Sequence, residues 1–302
     1  MADILVIGSL NADLVVRAPR FPAPGETIHG GDLSILPGGK GANQAVAAAR
    51  LGAGVAMAGR VGNDDFGSLL VANLKRNGVD VRGVARDETA ATGTAMIVVD
   101  SGGQNSIVLS PGANGLVTPA QVEAVDFSEA GLLLLQFEIP IEATSRAAQT
   151  ARDKGLRVLL NPAPAQPFPD ELLADVDVLI PNESELGLLT GLPVIDVPSA
   201  GQAAASLMAR GLRAVIVTLG SNGALLVDRL GARHVPPYPV QVVDTTAAGD
   251  AFVGGLAVAL LKGQPLEKAV QYANACGALT VTKFGAQPSL PTAREVQEFL
   301  RK

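Results

Sequence analysis

The chain has 302 residues, 48% of them hydrophobic, enough for one large α/β domain, or one carrying a smaller insertion, around a sizeable buried core. Lys plus Arg number 23 against 29 Asp plus Glu, a net charge of −6 with 3% aromatics and no Trp, which argues against nucleic-acid binding. A single cysteine, Cys276, leaves no partner for an intramolecular disulfide or a Cys-based zinc site, and two isolated histidines, His29 and His234, leave proton chemistry to carboxylates.

The sequence opens on an apolar strand, Ile4–Gly8, with an acid at Asp3 and no basic region, which does not read as a signal peptide. No apolar run approaches the roughly 18 residues of a membrane span, so a cytoplasmic protein without a membrane partner is the expectation. Asn11-Ala12-Asp13 follows that strand, where open α/β sheets bind ligands; two polar side chains two apart face one way and suit vicinal hydroxyls, or they form a turn. Ala12 to Pro37 is rich in Pro and Gly with short alternating pieces. Pro37-Gly38-Gly39-Lys40-Gly41-Ala42-Asn43-Gln44 then gives exposed backbone before a helix over Ala42–Leu51, with Lys40 and Asn43 as donors; it is not a Walker A loop, because no Ser or Thr follows the Gly-Lys pair.

A strand over Val55–Gly59 and a helix over Phe66–Asn77 come next, and Gly93 to Ser110 reads as a hairpin around Asp100-Ser101-Gly102-Gly103. Further strands at Leu132–Leu135, Arg157–Leu160, Val178–Ile180 and Ala214–Thr218 alternate with helices at Ile141–Lys154 and Ala200–Arg210. Glu138 lands at one strand end and Asn182-Glu183-Ser184-Glu185 at another, where the acids organise a hydrated magnesium ion or cap the next helix. Thr218-Leu219-Gly220-Ser221-Asn222-Gly223 ends a fourth strand, as a nucleotide rest or as a turn into Ala224–Asp228. Continuously apolar strands alternating with Ala-rich helices specify a mostly parallel sheet covered on both faces; the two irregular segments form a small β-sheet lid or an irregular edge.

Near the end, Val240–Val243 reads as a strand and Gly249–Leu261 as a helix, followed by helices at Leu266–Val281 and Ala293–Leu300. Between strand and helix lies Asp244-Thr245-Thr246-Ala247-Ala248-Gly249-Asp250. Tiny residues there expose backbone N–H groups to an anion at a helix N-terminus, and Asp250 adds a carboxylate beside it. Phosphoryl transfer needs both: donors for the migrating group and a base for the attacking hydroxyl.

The stretch Gly38 to Gly62, with Asn43, Gly52 and Gly62 at their spacings, resembles the first signature of the ribokinase-like (PfkB) carbohydrate kinases, and Asp244 to Leu256 resembles the second. Gly8 to Asp13, Phe21 to Thr27, Asn161 to Ala165 and Gly285 to Ser289 extend the likeness over essentially the whole chain. The resemblance implies a three-layer α/β/α fold in which residues 1–302 form one domain, with lid segments at about 12–37 and 93–110 inserted in it. It implies ATP-dependent phosphorylation of D-ribose at O5, with Asp250 as base and the N–H groups of Ala247, Ala248 and Gly249 as the anion hole. Asn11, Asp13, Gly39, Lys40, Asn43, Glu138 and Asp250 match the sugar contacts. Asn182, Thr218, Leu219, Gly220, Ser221, Asn222, Gly223, Gly249 and Asn274 match the nucleotide side.

By the same resemblance, Glu185 would order Mg2+ through water. K+ would be held by oxygens of Asp244, Thr246, Thr280, Lys283, Gly285 and Ser289, mostly backbone carbonyls. A homodimer through the lid is also implied. Thr246 stands where many relatives carry an aliphatic residue, and Asn274 where polar residues vary. A related kinase acting on 2-deoxyribose, fructose or adenosine is the alternative, and a non-catalytic sugar sensor a second. The scarcity of aromatics gives little from which to build a nucleoside-base slot. Cys276 reads as a buried small residue, not a reactive thiol.

Overall fold

All four residues of β1 (Ile4–Ile7), β8 (Leu132–Leu135) and three of the four of β9 (Arg157–Leu160) are buried, as strands covered on both faces must be. In the computed structural model, which describes residues 3–301, these strands are central to a nine-stranded sheet. The other strands are β2 (Asn11–Arg17), β3 (Ser34–Gly38), β4 (Val55–Gly62), β5 (Asp80–Asp87), β6 (Gly93–Val99), β7 (Asn105–Ser110), β10 (Val178–Leu179), β11 (Ala214–Thr218), β12 (Ala224–Asp228) and β13 (Gly231–Val235). The helices are α1 (Lys40–Arg50), α2 (Asp65–Arg76), α3 (Pro119–Glu123), α4 (Ile141–Asp153), α5 (Glu171–Ala174), α6 (Glu183–Thr190), α7 (Val197–Met208), α8 (Ala248–Leu261), α9 (Leu266–Thr280) and α10 (Ala293–Leu300).

The sheet order is β13-β12-β11-β10-β9-β8-β1-β4-β5, parallel except that β12 runs antiparallel to its neighbours β11 and β13. Alternate residues of each strand enter two separate cores. Ile4 and Val6 pack with α1, α2, α8, α9 and α10, while Leu5 and Ile7 pack with α3 to α7. The result is a three-layer α/β/α sandwich. From β1 the chain winds through β4 to β5 in one direction, and from β8 through β9, β10 and β11 in the other. That reversal opens a crevice beyond the strand ends between β1 and β8, where α/β sheets take ligands.

The Pro/Gly-rich segment and the hairpin combine into a second sheet of four strands, in the order β3-β2-β6-β7. Asn11, Asp13, Val15 and Arg17 on β2 share one face with Ala95, Ile97 and Val99 on β6, because their register pairs them directly.

One expectation needs correction, and one strand went unread in the sequence. Val240–Val243 is not a strand: Pro236, Pro237 and Pro239 remove donors just upstream, β13 already closes the sheet edge, and Val242 and Val243 are exposed. Conversely, Asp80–Asp87 is the edge strand β5, which needs no apolar run because it has one open side. Short helices α3, α5 and α6 also lacked a periodic signal, and α7 begins at Val197, three residues early, behind an Asp196–Ser199 capping box. Among the described residues, no helix is long and apolar enough to cross a membrane.

Candidate active site

The approach to α1 decides where the site's side chains fall. Gly39 has φ 88°, and a Cβ there would lie 2.7 Å from the Asn11 backbone nitrogen, so only glycine lets the chain turn against β2 and start the helix at Lys40. Lys40, Asn43 and Gln44, spaced i, i+3 and i+4, then share one helix face. Asn43 Nδ2 donates to Asp250 Oδ2 at 2.9 Å, and Gln44 Nε2 donates to Oδ1 at 3.1 Å.

Asp250, on the first turn of α8, is 6% exposed. Burial raises its pKa; Lys40 and the Asn43 and Gln44 amides oppose the rise without cancelling it. Burial would lower Lys40 in turn, but Asp250, Glu138 and Glu185 together hold it above its ordinary value. The cationic Lys40 is therefore secure.

Ala247 caps α8 with φ 60°, the one non-glycine with positive φ among the described residues. Such backbone is strained and is found where a loop must present groups in a set direction. The Ala248 N–H reaches back to the Thr245 carbonyl at a long 3.3 Å, while no backbone carbonyl among the described residues accepts from Ala247 or Gly249. These free donors sit at the positive end of a 14-residue helix.

Asp250 stands at the meeting of two cavities. The larger, about 1170 Å³, lies between the two sheets and is lined by Asn11, Asp13, Gly39, Lys40, Asn43 and Glu138, all six of the other residues expected to hold a sugar. Glu138 Oε2 accepts from Ser9 Oγ at 2.5 Å and from the Lys40 backbone at 3.0 Å, tying β1, α1 and β8 together. Asn114 Nδ2 donates to Asn11 Oδ1 at 2.8 Å. Burial, then the charges of Glu138 and Asp250, raise Asp13 to about 7.

The smaller cavity, about 230 Å³, is lined by Asn182, Glu185, Thr218 and Gly249, and shares Lys40, Thr245, Ala247 and Asp250 with the larger. Glu185 Oε2 accepts from the Asn182 N–H at 2.8 Å in a capping box, so its cap role and its place on the cavity wall coexist. Burial raises its pKa. Gly220–Asn222 forms an exposed turn, while the Leu219 side chain is buried in the core and Gly223 is buried too. Asn274 lines neither cavity; its Nδ2 holds the carbonyls of Val235 and Pro236 at 3.2 and 3.1 Å.

Asp244 joins the two segments expected to hold a monovalent cation. Its Oδ1 accepts from the Thr246 N–H at 2.9 Å and hydroxyl at 2.6 Å, and its Oδ2 from the Gly285 N–H at 2.9 Å. Burial would raise its pKa, but these bonds and the charge of Arg17 hold it low. Ser289 Oγ donates to the Ala286 carbonyl at 2.7 Å, and the Lys283 N–H to Thr280 at 3.2 Å. The acceptor atoms in these two loops are oxygens, the kind a hard cation takes, and both Asp244 carboxylate oxygens already accept from N–H or O–H donors. Cys276 is fully buried and burial pushes its thiol far up, as expected of a packing residue.

Several polar residues had no assigned role in the sequence reading: Ser9, Gln44, Asn114, Gln136, Asn161 and Gln287. Gln44 carried the one available signal, an amide on the same helix face as Lys40 and Asn43 within an Ala-rich run.

Comparison with known proteins gives the family of the chain. Residues 1–293 match the model of the pfkB family of carbohydrate kinases. The chain is 42% identical to a ribokinase of Haemophilus influenzae over 98% of both chains, and 39% identical to a deoxyribokinase of Salmonella typhi over 99% of this chain and 98% of the other. The solved structure of an Arabidopsis thaliana ribokinase complexed with ribose and ATP superposes with a TM-score of 0.91 at 36% identity, covering all of both chains.

Proposed function

The chain belongs to the pfkB family of carbohydrate kinases, and on that premise we propose that it is an ATP-dependent ribokinase, converting D-ribose to D-ribose 5-phosphate. The observation that carries this reading is the position of Asp250, with one carboxylate reachable from both a polyol-sized cavity and a second, smaller one. Asp250 takes the proton of the sugar's primary hydroxyl as its oxygen attacks the γ-phosphorus. The O5–P bond forms, the bond from phosphorus to the β-phosphate oxygen breaks, and ADP leaves. Charge on the migrating group meets the N–H groups of Ala247, Ala248 and Gly249, with Ala248 first giving up its long bond to Thr245.

Asn11, Asp13, Gly39, Lys40, Asn43 and Glu138 hold the sugar, and the donor and acceptor mixture suits a ring rich in hydroxyls. Asn182, the 218–223 turn and Gly249 meet the nucleotide; Asn274 acts on it through the 235–236 backbone that it holds. An ATP-dependent kinase requires a divalent ion such as Mg2+, which neutralises phosphate charge; Glu185, on the wall of the smaller cavity, would order it through water. The oxygens around Asp244, Thr246, Thr280, Lys283, Gly285 and Ser289 take K+ and brace the α8 loop. The β3-β2-β6-β7 sheet acts as a lid that limits water at the site, and the exposed Ile35, Met96 and Val108 on its outer face favour pairing with a second copy.

The deoxyribokinase relative at 39% identity favours one second reading, 2-deoxyribose as the sugar. An ADP-release assay offering ribose, 2-deoxyribose, fructose and adenosine decides between them. Asp250→Asn should lower kcat for the preferred sugar by about 10²–10⁴-fold while sugar binding persists. Turnover near the parent rate would refute the base assignment.

A further inference from the structure

The orientation of the Gln44 amide is forced, one group at a time, from the far side of the sheet. The Ile180 carbonyl can only accept, so Asn161 turns its Nδ2 toward it at 2.8 Å and leaves Oδ1 facing Gln44. Gln44 thus meets two acceptors, Asn161 Oδ1 at 3.2 Å and Asp250 Oδ1 at 3.1 Å. Only its NH2 end satisfies both. Its Oε1 faces the other way, where Gln136 Nε2 donates at 2.6 Å.

Gln44 and Gln136 are both fully buried. Among the described residues Gln136 Oε1 finds no partner, an uncommon and destabilising state for a buried acceptor. The fold makes room for it: a Cβ on Gly8 would lie 2.0 Å from that oxygen. Within the network the Gln136 side chain has one polar contact, its donation to Gln44 Oε1, which satisfies the oxygen that Asn161 and Asp250 turn away and so adds to their hold on the amide.

We propose that Gln44 is a positioning residue for the proton-accepting carboxylate, its amide directed by Asn161 and steadied by Gln136. One N–H from Gln44 on Oδ1 and one from Asn43 on Oδ2 set the carboxylate plane and leave a lone pair on each oxygen for the sugar hydroxyl. With the Gln44 amide reversed, its oxygen would face the carboxylate and repel it. Amides suit the task because they carry no charge at any working pH. The inference rests on Asp250 as base.

The test compares Gln44→Met, which keeps the length and loses the donor, with Gln136→Met, which leaves the Gln44 amide less tightly held. Gln44→Met should lower kcat by about 10²-fold and Gln136→Met by about tenfold, with KM for ribose and ATP within about twofold of the parent. The acid limb of the pH–rate profile should move to higher pH in both, because a lost N–H no longer favours the ionised form. Lys40 from α1, Glu138 after β8, Asp13 from β2 and Glu185 from α6 also face Asp250, but they are the same in every variant. A purely structural amide would lower Tm and leave kcat and the acid limb in place; that result overturns the proposal. Should Gln44→Met fail to fold, Gln136→Met decides alone. Asp250→Asn is assayed alongside: if it is inactive while both glutamine variants match the parent, only this inference fails, and if it turns over freely, the base reading fails with it.

Discussion

The Asp13 carboxylate lies against Gly38, where an added Cβ would fall 2.1 Å from its Oδ2, and burial with the charges of Glu138 and Asp250 raises its pKa from 3.8 to about 7. A carboxyl raised in the folded state holds its proton there after the unfolded chain has lost it. Stability contributed by this group is therefore intact below 3.8, declines as pH rises toward 7, and stays low above that. Asp13→Asn removes the penalty. Thermal melts should show Tm unchanged at about pH 4 and raised by a few degrees at about pH 8, while affinity for the sugar falls at least about tenfold. No gain at the higher pH would mean that Asp13 is solvated better than its burial implies. Asp13 thus destabilises the fold while lining the larger cavity, the usual sign of a functional carboxylate.

At the scale of elements, the site depends on how closely α1 and α8 approach, since one carries Lys40, Asn43 and Gln44 and the other Asp250. A Cβ on Gly254 would lie 2.7 Å from Ala47 Cβ and 3.1 Å from the Ala48 backbone nitrogen, so the two helices meet nearly backbone to backbone. Gly254→Val should cost about 1–3 kcal/mol of stability in denaturant unfolding and lower kcat together with it, because the helices can separate only by withdrawing the amides from Asp250. Unaltered stability would show that the interface is slack. These elements were largely legible in the sequence. Strands β1, β8 and β9 are nearly continuous apolar runs because both their faces are covered, and the glycine motifs mark the entries to α1 and α8. What escaped depends on partners remote in sequence. Edge strand β5 has charges at both ends and no apolar pattern, and Val240–Val243 looks like a strand yet meets no free sheet edge. Gln44 lies 117 residues from Asn161 and 92 from Gln136, so neither its orientation nor its use could be read locally.

For the whole molecule, the proposed reaction needs the small sheet and the sandwich to act together, and the contact of Arg17 with Phe284 joins them beside the Asp244 loop. Arg17, on the cavity face of β2, holds its guanidinium carbon 4.7 Å from the Phe284 ring centroid. Phe284 directly precedes Gly285, whose N–H donates to Asp244, so the lid strand touches the segment that anchors the α8 loop. Phe284 is half exposed, which puts the contact at the weak end of cation–π pairs, about 0.5–1 kcal/mol. If that energy favours the closed lid, Arg17→Ala should raise KM for the sugar about two- to fivefold and leave kcat at saturating sugar nearly unchanged. Phe284→Leu should do the same, and the double variant should be no worse than either single one, since each removes the same contact. Additive losses would mean that Arg17 acts through its charge on Asp244, and a fall in kcat alone would place its effect on the α8 loop. The three results separate holding the lid shut from shaping the loop beneath it, which the sugar assay by itself does not distinguish.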